Sequence, residues 1–406
     1  MPEAVIVATA RSPIGRAFKG SLKDLRSDDL TALMVKAALD KVPALDPKDI
    51  DDLMLGCGLP GGEQGFNMGR NVAVLLGYDH LPGTTITRYC SSSLQTTRMA
   101  MHAIRAGEGD AYISAGVEMV TSTRGKGSSD SIPDTKNPSF AEGAARTTKA
   151  VEEGLTWSDP REAGLLPDVY IGMGFTAENV AQHKGITRAQ QDEFAVRSQN
   201  LTEKAIADGF WAKDITPVTL ADGTVVTKDD GPRAGTTIEG LSALKPVFRP
   251  DGTVTAGNAC PLNDGAAALV IMSDTKAREL GLTPLARIVS TAVTGLSPEI
   301  MGLGPVEASR IAMARAGLTS ADIDLVEINE AFAAQVVPSY QDLGFDLDKV
   351  NVNGGALAIG HPFGMTGARI TSTLINSLQW HDKQWGLETM CVGGGMGMAM
   401  VLERLS

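Results

Sequence analysis

Short apolar runs alternate along the chain with stretches whose apolar residues recur every three or four positions. The run at residues 5–9 predicts a strand, and Leu30 and Met34 are among the apolar residues on one face of a predicted helix over residues 28–39. A second strand-like run follows at residues 51–56. The order strand, helix, strand predicts an α/β layer with parallel strand pairing.

The stretch from Ile86 to Gln95 joins an apolar, β-prone run to a helical pattern at Cys90. The helical pattern continues to Gly107 and Gly109, so Cys90 is predicted to lie at the start of a helix. Unpaired backbone N–H groups and the helix dipole favour negative charge there, so we expect a lowered thiol pKa and a nucleophilic cysteine. A small, buried structural cysteine is the alternative interpretation.

The pattern of polar and apolar residues changes twice more along the chain. Polar residues with scattered Gly and Pro over residues 122–249 predict an inserted loop domain, and strand-like runs at residues 252–258 and 266–272 then complete the first half. The second half repeats the plan of strand, loop, long helix and returning strand, which indicates a duplicated pair of similar domains. We therefore expect three units. The N-terminal half comprises residues 1–121 and 250–273, the insertion comprises residues 122–249, and the C-terminal half comprises residues 274–406.

Composition and charge exclude several classes of protein. The 406 residues are 43% hydrophobic and carry a net charge of −12, which leaves no basic footprint for nucleic acid or an anionic membrane. No apolar stretch of about 18 residues predicts a membrane span, and the N-terminus is typical of a strand rather than a signal peptide. The four cysteines lack C-x-x-C spacing, so we expect no zinc site, no disulfide framework and a location in a reducing cytoplasm.

Three further residues could act with Cys90. Asn329 follows a predicted strand, His361 lies in a Gly-rich loop, and Cys391 precedes the glycine run at Gly393. Each has an ordinary alternative: a turn cap for the asparagine, a solvated loop side chain for the histidine and a packed thiol for the cysteine. Together they supply a nucleophile, a base, N–H donors and a second proton carrier, which acyl transfer to sulfur requires.

Seven motifs resemble those of the thiolases, the acyl-CoA acetyltransferases, over nearly the whole chain. They are RYCSSSLQ at Cys90, TAENVA at Thr176, QDEFAVRSQ at Gln191, RPDGTVTAGN at Arg249, NEAFA at Asn329, GGALAIGHPFGMTGAR at Gly354 and CVGGGMG at Cys391. The resemblance implies the thiolase-like duplicated five-layer αβαβα fold, with two similar halves and an inserted loop domain. It also implies coenzyme A and acyl-CoA as substrates, no tightly bound cofactor, no metal, and a homotetramer or homodimer.

The resemblance also implies the roles of the reactive residues. Cys90 takes up the acyl group, His361 removes its proton and helps to hold a substrate carbonyl, and Cys391 is the second acid/base. Asn329 orients a water in one oxyanion hole, and the N–H groups of Cys90 and Gly393 form the other. Loss of one such donor typically costs about 10²–10³ in rate.

Residues expected to contact coenzyme A or substrate lie elsewhere in the chain. Arg233 matches a phosphate-contacting arginine, with a surface ion pair to the neighbouring aspartates as the alternative. Met173 and Phe332 match apolar residues of the thioester pocket, with a purely structural core role as the alternative. Ala331 and Cys260 complete this expected set.

Departures from the thiolase pattern limit the transfer of roles. Thr87 replaces a common asparagine, which we expect to alter support of the nucleophile loop more than the chemistry. Cys260 replaces a serine that contacts pantetheine, and a thiol donates only weakly, so a backbone N–H is the alternative donor. Gly172, where acetoacetyl-CoA-specific members carry histidine, favours a degradative enzyme of broader chain length. Residues 66–70 and 126–140 are candidates for shaping the acyl pocket.

The implied activity is thiolytic cleavage of 3-oxoacyl-CoA by ping-pong chemistry through Cys90, in fatty-acid β-oxidation. The alternatives are a biosynthetic acetoacetyl-CoA thiolase that condenses two acetyl-CoA and a non-catalytic binder of acyl-CoA or lipid. A β-ketoacyl synthase shares the fold and a cysteine nucleophile, but Cys391 in its glycine run argues against that enzyme.

Overall fold

Strands and helices alternate along most of the chain in the computed structural model, which describes residues 2–123 and 136–406. The strands are β1 (Ala4–Arg11), β2 (Gly15–Arg16), β3 (Asp52–Cys57), β4 (Gly83–Ile86), β5 (Ala111–Met119), β6 (Val218–Thr219), β7 (Val225–Val226), β8 (Asn263–Ser273), β9 (Ala286–Gly295), β10 (Leu325–Ile328), β11 (Trp385–Val392) and β12 (Met396–Arg404). The helices are α1 (Ser27–Leu39), α2 (Met68–Leu75), α3 (Ser92–Ala106), α4 (Val120–Thr123), α5 (Ala141–Glu152), α6 (Met173–Lys184), α7 (Arg188–Ala207), α8 (Phe210–Asp214), α9 (Ile238–Ser242), α10 (Asp274–Glu279), α11 (Gly304–Ala316), α12 (Ala333–Leu343), α13 (Ala356–Ile359) and α14 (Phe363–Trp380). Within the described ranges, no helix combines the length and the apolar character needed to cross a bilayer.

The large sheet consists of two halves with the same topology. Its strand order is β10-β11-β12-β9-β1-β8-β5-β3-β4, and only two residue pairs, Val5–Arg287 and Ile6–Ala286, join β1 to β9 at the centre. In the first half β3 is parallel to β4 and β5, while β8 and β1 run antiparallel. In the second half β10 is parallel to β11 and to a bridge at Val350, while β12 and β9 run antiparallel. The predicted duplicated α/β fold is therefore present.

Two long helices, α3 and α14, cross near their N-terminal ends. A Cβ on Gly367 would lie 2.8 Å from the Leu94 Cα, and the Ala368 N–H donates to Ser93 Oγ at 2.8 Å. Glycine is needed at residue 367 because the backbones of the two helices approach so closely there. This crossing brings the residues that precede each helix into one region.

Several element predictions are confirmed, and two are wrong. The helices at 28–39 and after Cys90 form α1 and α3, and α3 ends at Gly107 with a φ of +75°. Pairing is mixed rather than parallel, because β8 and β1 lie antiparallel beside the parallel strands. Residues 252–258 form no strand, since the N–H groups of Thr253 and Val254 donate to the Glu178 carboxylate instead of to a neighbouring strand.

Candidate active site

Cys90 lies in a tight turn between β4 and α3, so its predicted place at a helix start is confirmed. The turn spans Tyr89–Ser91, and Tyr89 has a φ of +43°, a left-handed conformation that is strained for a residue with a side chain. Ser92 Oγ accepts from the Arg88 N–H at 2.9 Å and donates to the Tyr89 carbonyl at 2.6 Å. These bonds hold the strained turn in place.

The expected lowering of the Cys90 pKa is wrong. Only 9% of Cys90 is exposed, and burial raises the pKa of its thiol to about 12. The N–H groups of Gly393 and of Cys90 itself contact the sulfur and favour the thiolate, whereas the negative charge of Glu118 disfavours it. Burial outweighs the N–H groups at the helix start, so the resting sulfur is a thiol and a base is needed to activate it.

His361 lies immediately before α14 and is buried, so it is not a solvated loop side chain. Its N–H donates to Asn263 Oδ1 at 3.0 Å, and its Nδ1 lies 2.6 Å from Thr366 Oγ1. Because that hydroxyl already donates to the Pro362 carbonyl at 2.7 Å, it accepts from Nδ1–H. This assigns the proton to Nδ1 and leaves Nε2 as the basic nitrogen.

The imidazole of His361 is neutral at rest. Burial lowers its pKa to about 3, and the nearby Arg369 guanidinium lowers it further. The Asn329 amide nitrogen lies 3.3 Å from Nε2 and 3.5 Å from Nδ1. A neutral imidazole with an unprotonated Nε2 can accept a proton from a thiol, which an imidazolium cannot.

Asn329 follows β10, and both its backbone and its side chain have neighbours in the structure. Its N–H donates to the Thr389 carbonyl of β11 at 3.0 Å, and its side-chain amide faces His361 rather than capping a turn. Its Oδ1 is buried, and no donor within residues 2–123 and 136–406 bonds to it. The amide therefore has an acceptor oxygen available at the imidazole, as the orientation of a water would require.

The next residue of the same motif, Glu330, fixes the Gly-rich loop. Its buried carboxylate accepts from Ser198 Oγ at 2.6 Å, Asn351 Nδ2 at 2.8 Å and the Leu357 N–H at 3.0 Å. These bonds tie the Asn329 strand end to the segment that leads to His361.

Cys391 ends β11 and lies close to two other cysteines. It is fully buried, and burial raises the pKa of its thiol well above the usual value, as do the neighbouring sulfurs of Cys90 and Cys260. A Cβ on Gly393 would lie 3.5 Å from the Tyr89 ring and 3.7 Å from Met173 Sδ. The turn after Cys391 therefore packs on the turn that carries Cys90.

Four of the residues expected to contact substrate pack together around Cys391. They share one apolar cluster with Phe248, and they are Met173, Ala331, Phe332 and Cys260. The Cys260 N–H already donates to the Ala331 carbonyl at 3.0 Å, so this N–H is not available as an alternative donor to pantetheine. The cluster forms an apolar wall beside the reactive sulfurs.

Arg233 lies apart from this cluster. Its N–H donates to Gln199 Oε1 at 2.9 Å, and the residue is partly exposed to solvent. The neighbouring Asp229 pairs with Arg11, and Asp230 accepts from the N–H groups of Arg16 and Ser21, so the alternative ion pair does not form. Burial and then the charge of Arg16 lower the pKa of Arg233.

Sequence reasoning missed the residues that hold the reactive groups. Thr366 and Asn263 fix His361, and Glu118 is a fully buried carboxylate beside Cys90. The one available signal was an acidic residue within the apolar run at residues 111–119. Of the two loops expected to shape the pocket, the first exposes 93% of Phe66, and residues 124–135 of the second lie outside the described ranges.

Comparisons with known proteins agree over the full chain. The family models for the thiolase N-terminal domain and C-terminal domain match residues 4–275 and 282–404. The 3-ketoacyl-CoA thiolase of Bacillus subtilis is 43% identical over 99% of this chain and 100% of its own length. The crystal structure of the Bacillus anthracis acetyl-CoA acetyltransferase has a TM-score of 0.87 at 38% identity and covers 100% of this chain and 99% of that one. The human mitochondrial 3-ketoacyl-CoA thiolase has a TM-score of 0.86 at 33% identity with the same coverage. The chain belongs to the thiolase family.

Proposed function

We propose that this protein cleaves 3-oxoacyl-CoA by coenzyme A-dependent thiolysis, yielding acetyl-CoA and a shortened acyl-CoA in fatty-acid β-oxidation. The observation that carries the proposal is a pair of neighbouring buried thiols together with a neutral imidazole immediately before α14, the helix that packs on the turn of the first thiol. Cys90, His361 and Cys391 supply these groups. The names of the relatives at about 43% identity support the degradative direction.

In the first half-reaction, the Cys90 thiol proton passes to His361 Nε2 as the sulfur bonds to C3 of the substrate. The C2–C3 bond then breaks, and its electron pair forms the enolate of acetyl-CoA, to which Cys391 gives a proton. Asn329 with an oriented water and His361 stabilise one oxygen, and the N–H groups of Cys90 and Gly393 stabilise the other. Acetyl-CoA leaves, and the shortened acyl group remains on Cys90.

In the second half-reaction, the Cys391 thiolate takes the proton of the entering coenzyme A thiol. The new sulfur bonds to the acyl carbon while the bond to Cys90 breaks, and the imidazolium returns its proton to Cys90. Burial disfavours the thiolate forms of both Cys90 and Cys391. Each sulfur is therefore expected to be a thiolate only during the step in which it has given up its proton.

Coenzyme A is a substrate in this proposal, and no cofactor is tightly bound. Residues 122–249 contribute to its binding, with Arg233 at a phosphate and with Met173, Phe332, Ala331 and Cys260 along the thioester pocket. We further propose a cytoplasmic homotetramer or homodimer in which the same insertion contributes subunit contacts.

Acyl transfer from acetyl-CoA to the peptide that contains Cys90, followed by mass spectrometry, tests the mechanism. Wild type is expected to gain one acetyl group on Cys90, and Cys90→Ala is expected to gain none. Cys391→Ala is expected to retain some acyl-enzyme but to lose thiolysis and condensation, because the second proton carrier is gone. Equal acetyl uptake by wild type and Cys90→Ala would contradict the assignment, and binding without any acetyl uptake would favour the non-catalytic alternative.

A biosynthetic acetoacetyl-CoA thiolase is the second candidate, since one structural neighbour is named an acetyl-CoA acetyltransferase. Thiolysis rates for 3-oxoacyl-CoA substrates of increasing length, including a branched one, separate the two. The proposed enzyme accepts chains longer than four carbons, in keeping with Gly172 immediately before Met173. A sharp preference for the four-carbon substrate would support the biosynthetic candidate.

A further inference from the structure

Glu118 is a fully buried carboxylate near the end of β5, and every hydrogen bond that it makes within the described ranges comes from a donor. Its Oε2 accepts from the N–H groups of Gly58 at 2.7 Å and Gly364 at 2.9 Å. Its Oε1 accepts from the Leu59 N–H at 3.2 Å and from Gln64 Nε2 at 2.8 Å, and the Cys57 thiol lies 3.9 Å away. Burial raises the pKa of Glu118 while these donors oppose that shift, and a set made only of donors fits the ionised form.

The donors around Glu118 belong to segments that touch both reactive groups. A Cβ on Gly58 would lie 3.3 Å from the Tyr89 carbonyl oxygen and 2.8 Å from the Phe363 Cβ. Thr87 Oγ1 also donates to the Gly58 carbonyl, at 3.0 Å. Gly58 therefore packs between the residue before Cys90 and the second residue after His361.

The second point of attachment is the helix that follows the base. Gly364 lies in the first turn of α14, so its N–H is one of those left without an intrahelical partner. Glu118 Oε2 accepts from that N–H, and the same oxygen also accepts from the N–H of Gly58, in the loop that packs on the Cys90 turn. One carboxylate oxygen thus joins the Cys90 turn to the His361 helix.

We propose that Glu118 is a positioning residue, whose carboxylate sets the placement of the Cys90 turn relative to the His361 helix. The proposal deepens the thiolase function and rests on it for the rate effect. None of the hydrogen bonds of Glu118 in the described ranges involves Cys90, so it acts through Gly58 and Gly364.

The charge of Glu118 affects the pKa of the Cys90 thiol, which gives a second measurement that a change in packing alone would not alter. The titratable groups that interact with the Cys90 thiol are Glu118 on β5, Cys391 on β11 and Cys260, and the proposed base His361 immediately precedes α14, which packs on the Cys90 turn. Of these groups, Glu118 is the one carboxylate, and its charge raises the pKa of Cys90. Neutralising it is expected to make Cys90 easier to deprotonate while it loosens the arrangement of thiol and base.

The test is Glu118→Gln, with Glu388→Gln as the matched control. Glu388 is an equally buried carboxylate on β11 that accepts from Thr371 Oγ1 on α14 at 2.9 Å, and none of its hydrogen bonds in the described ranges involves His361. Thiolysis kinetics give kcat and KM, and iodoacetamide labelling of the Cys90 peptide across pH gives the alkylation profile. For Glu118→Gln we expect kcat to fall about 10- to 100-fold, because a misplacement near 1 Å can cost about 10²-fold.

The KM for coenzyme A is expected to stay within about threefold, and the alkylation profile to move to lower pH. Glu388→Gln is expected to keep kcat within about twofold and an unshifted profile. Wild-type kcat in Glu118→Gln would overturn the proposal, as would a loss of kcat with an unshifted alkylation profile, which would indicate a merely structural role.

A variant that removes only the loop contact covers the case in which Glu118→Gln does not fold. Thr87→Val deletes the bond to the Gly58 carbonyl and keeps the shape of the side chain. It is expected to lower kcat about 2- to 10-fold with no shift of the alkylation profile, and unchanged kcat would contradict the coupling of the loop to the nucleophile. Absence of an acetyl group on wild-type Cys90 would instead refute the proposed function, and the alkylation profiles would still test Glu118.

Discussion

Replacing Thr366 with valine tests whether its hydroxyl fixes the working tautomer of His361. The hydroxyl accepts from Nδ1–H at 2.6 Å and donates to the Pro362 carbonyl at 2.7 Å. Valine keeps the branched shape but leaves the buried Nδ1–H without an acceptor. An unpaired buried donor costs about 1–3 kcal/mol, and each 1.4 kcal/mol corresponds to about tenfold in a population.

The expected result is a 10- to 100-fold slower acyl transfer from acetyl-CoA to Cys90. The tautomer with its proton on Nε2 becomes favourable in the variant, and that nitrogen can then no longer accept the Cys90 proton. Quenched-flow measurement of acyl-enzyme formation isolates this step from coenzyme A binding and product release.

Two variants control for a general loss of structure. Thr366→Ser retains the hydroxyl and is expected to retain most of the rate. Thr371→Val removes another buried hydroxyl from α14, one that donates to the Gly367 carbonyl at 2.8 Å and does not contact His361. It is expected to lower the unfolding temperature without changing the rate per folded molecule. A wild-type rate in Thr366→Val would refute the tautomer assignment.

Three further changes have defined outcomes. Gly367→Ala would place a Cβ 2.8 Å from the Leu94 Cα, so we expect the free energy of unfolding to fall by about 1–3 kcal/mol. Urea denaturation measures this loss, and an unchanged midpoint would contradict the close helix crossing. His361 has a lowered pKa in the folded state, so only the unfolded chain gains this proton as the pH falls from 6.5 towards 3. Urea midpoints at pH 7 and 4.5 should show wild type losing up to about 1.4 kcal/mol per pH unit more than His361→Gln, and equal losses would contradict the neutral buried imidazole. Arg233→Ala is expected to raise the KM for coenzyme A about tenfold with little change in acetyl uptake at saturation, and an unchanged KM would refute the phosphate contact.

Local patterns predicted the elements that carry the chemistry. The spacing of apolar residues after Cys90 placed α3, and the glycine after it marked its end, because both signals depend only on neighbouring residues. The same holds for the strand ends at Asn329 and Cys391. The expectation that Cys90, Asn329 and Cys391 act together came from the motif resemblance, because periodicity alone says nothing about contacts between distant residues.

Properties that depend on burial could not be predicted from neighbouring residues. The thiol of Cys90 lies at a helix start, yet desolvation raises its pKa because α14 and the Cys391 turn cover it. Residues 253–255 read as a strand, yet their N–H groups bond to the side chains of Glu178 and Asn258. Glu118 lies within an apolar run in the sequence, and only the fold shows the donors that surround it.

The repeated topology explains why the reactive groups come from both halves. Cys90 precedes α3 in the first half, and His361 precedes α14 at the corresponding place in the second. Since α3 and α14 cross near their N-terminal ends, the segments that carry the two residues lie side by side. The second half also supplies Asn329 and Cys391 from adjacent parallel strands, β10 and β11. Neither half alone holds the proposed nucleophile together with its proposed base, so any change that separates α3 from α14 should remove acyl transfer before it removes either half's own fold.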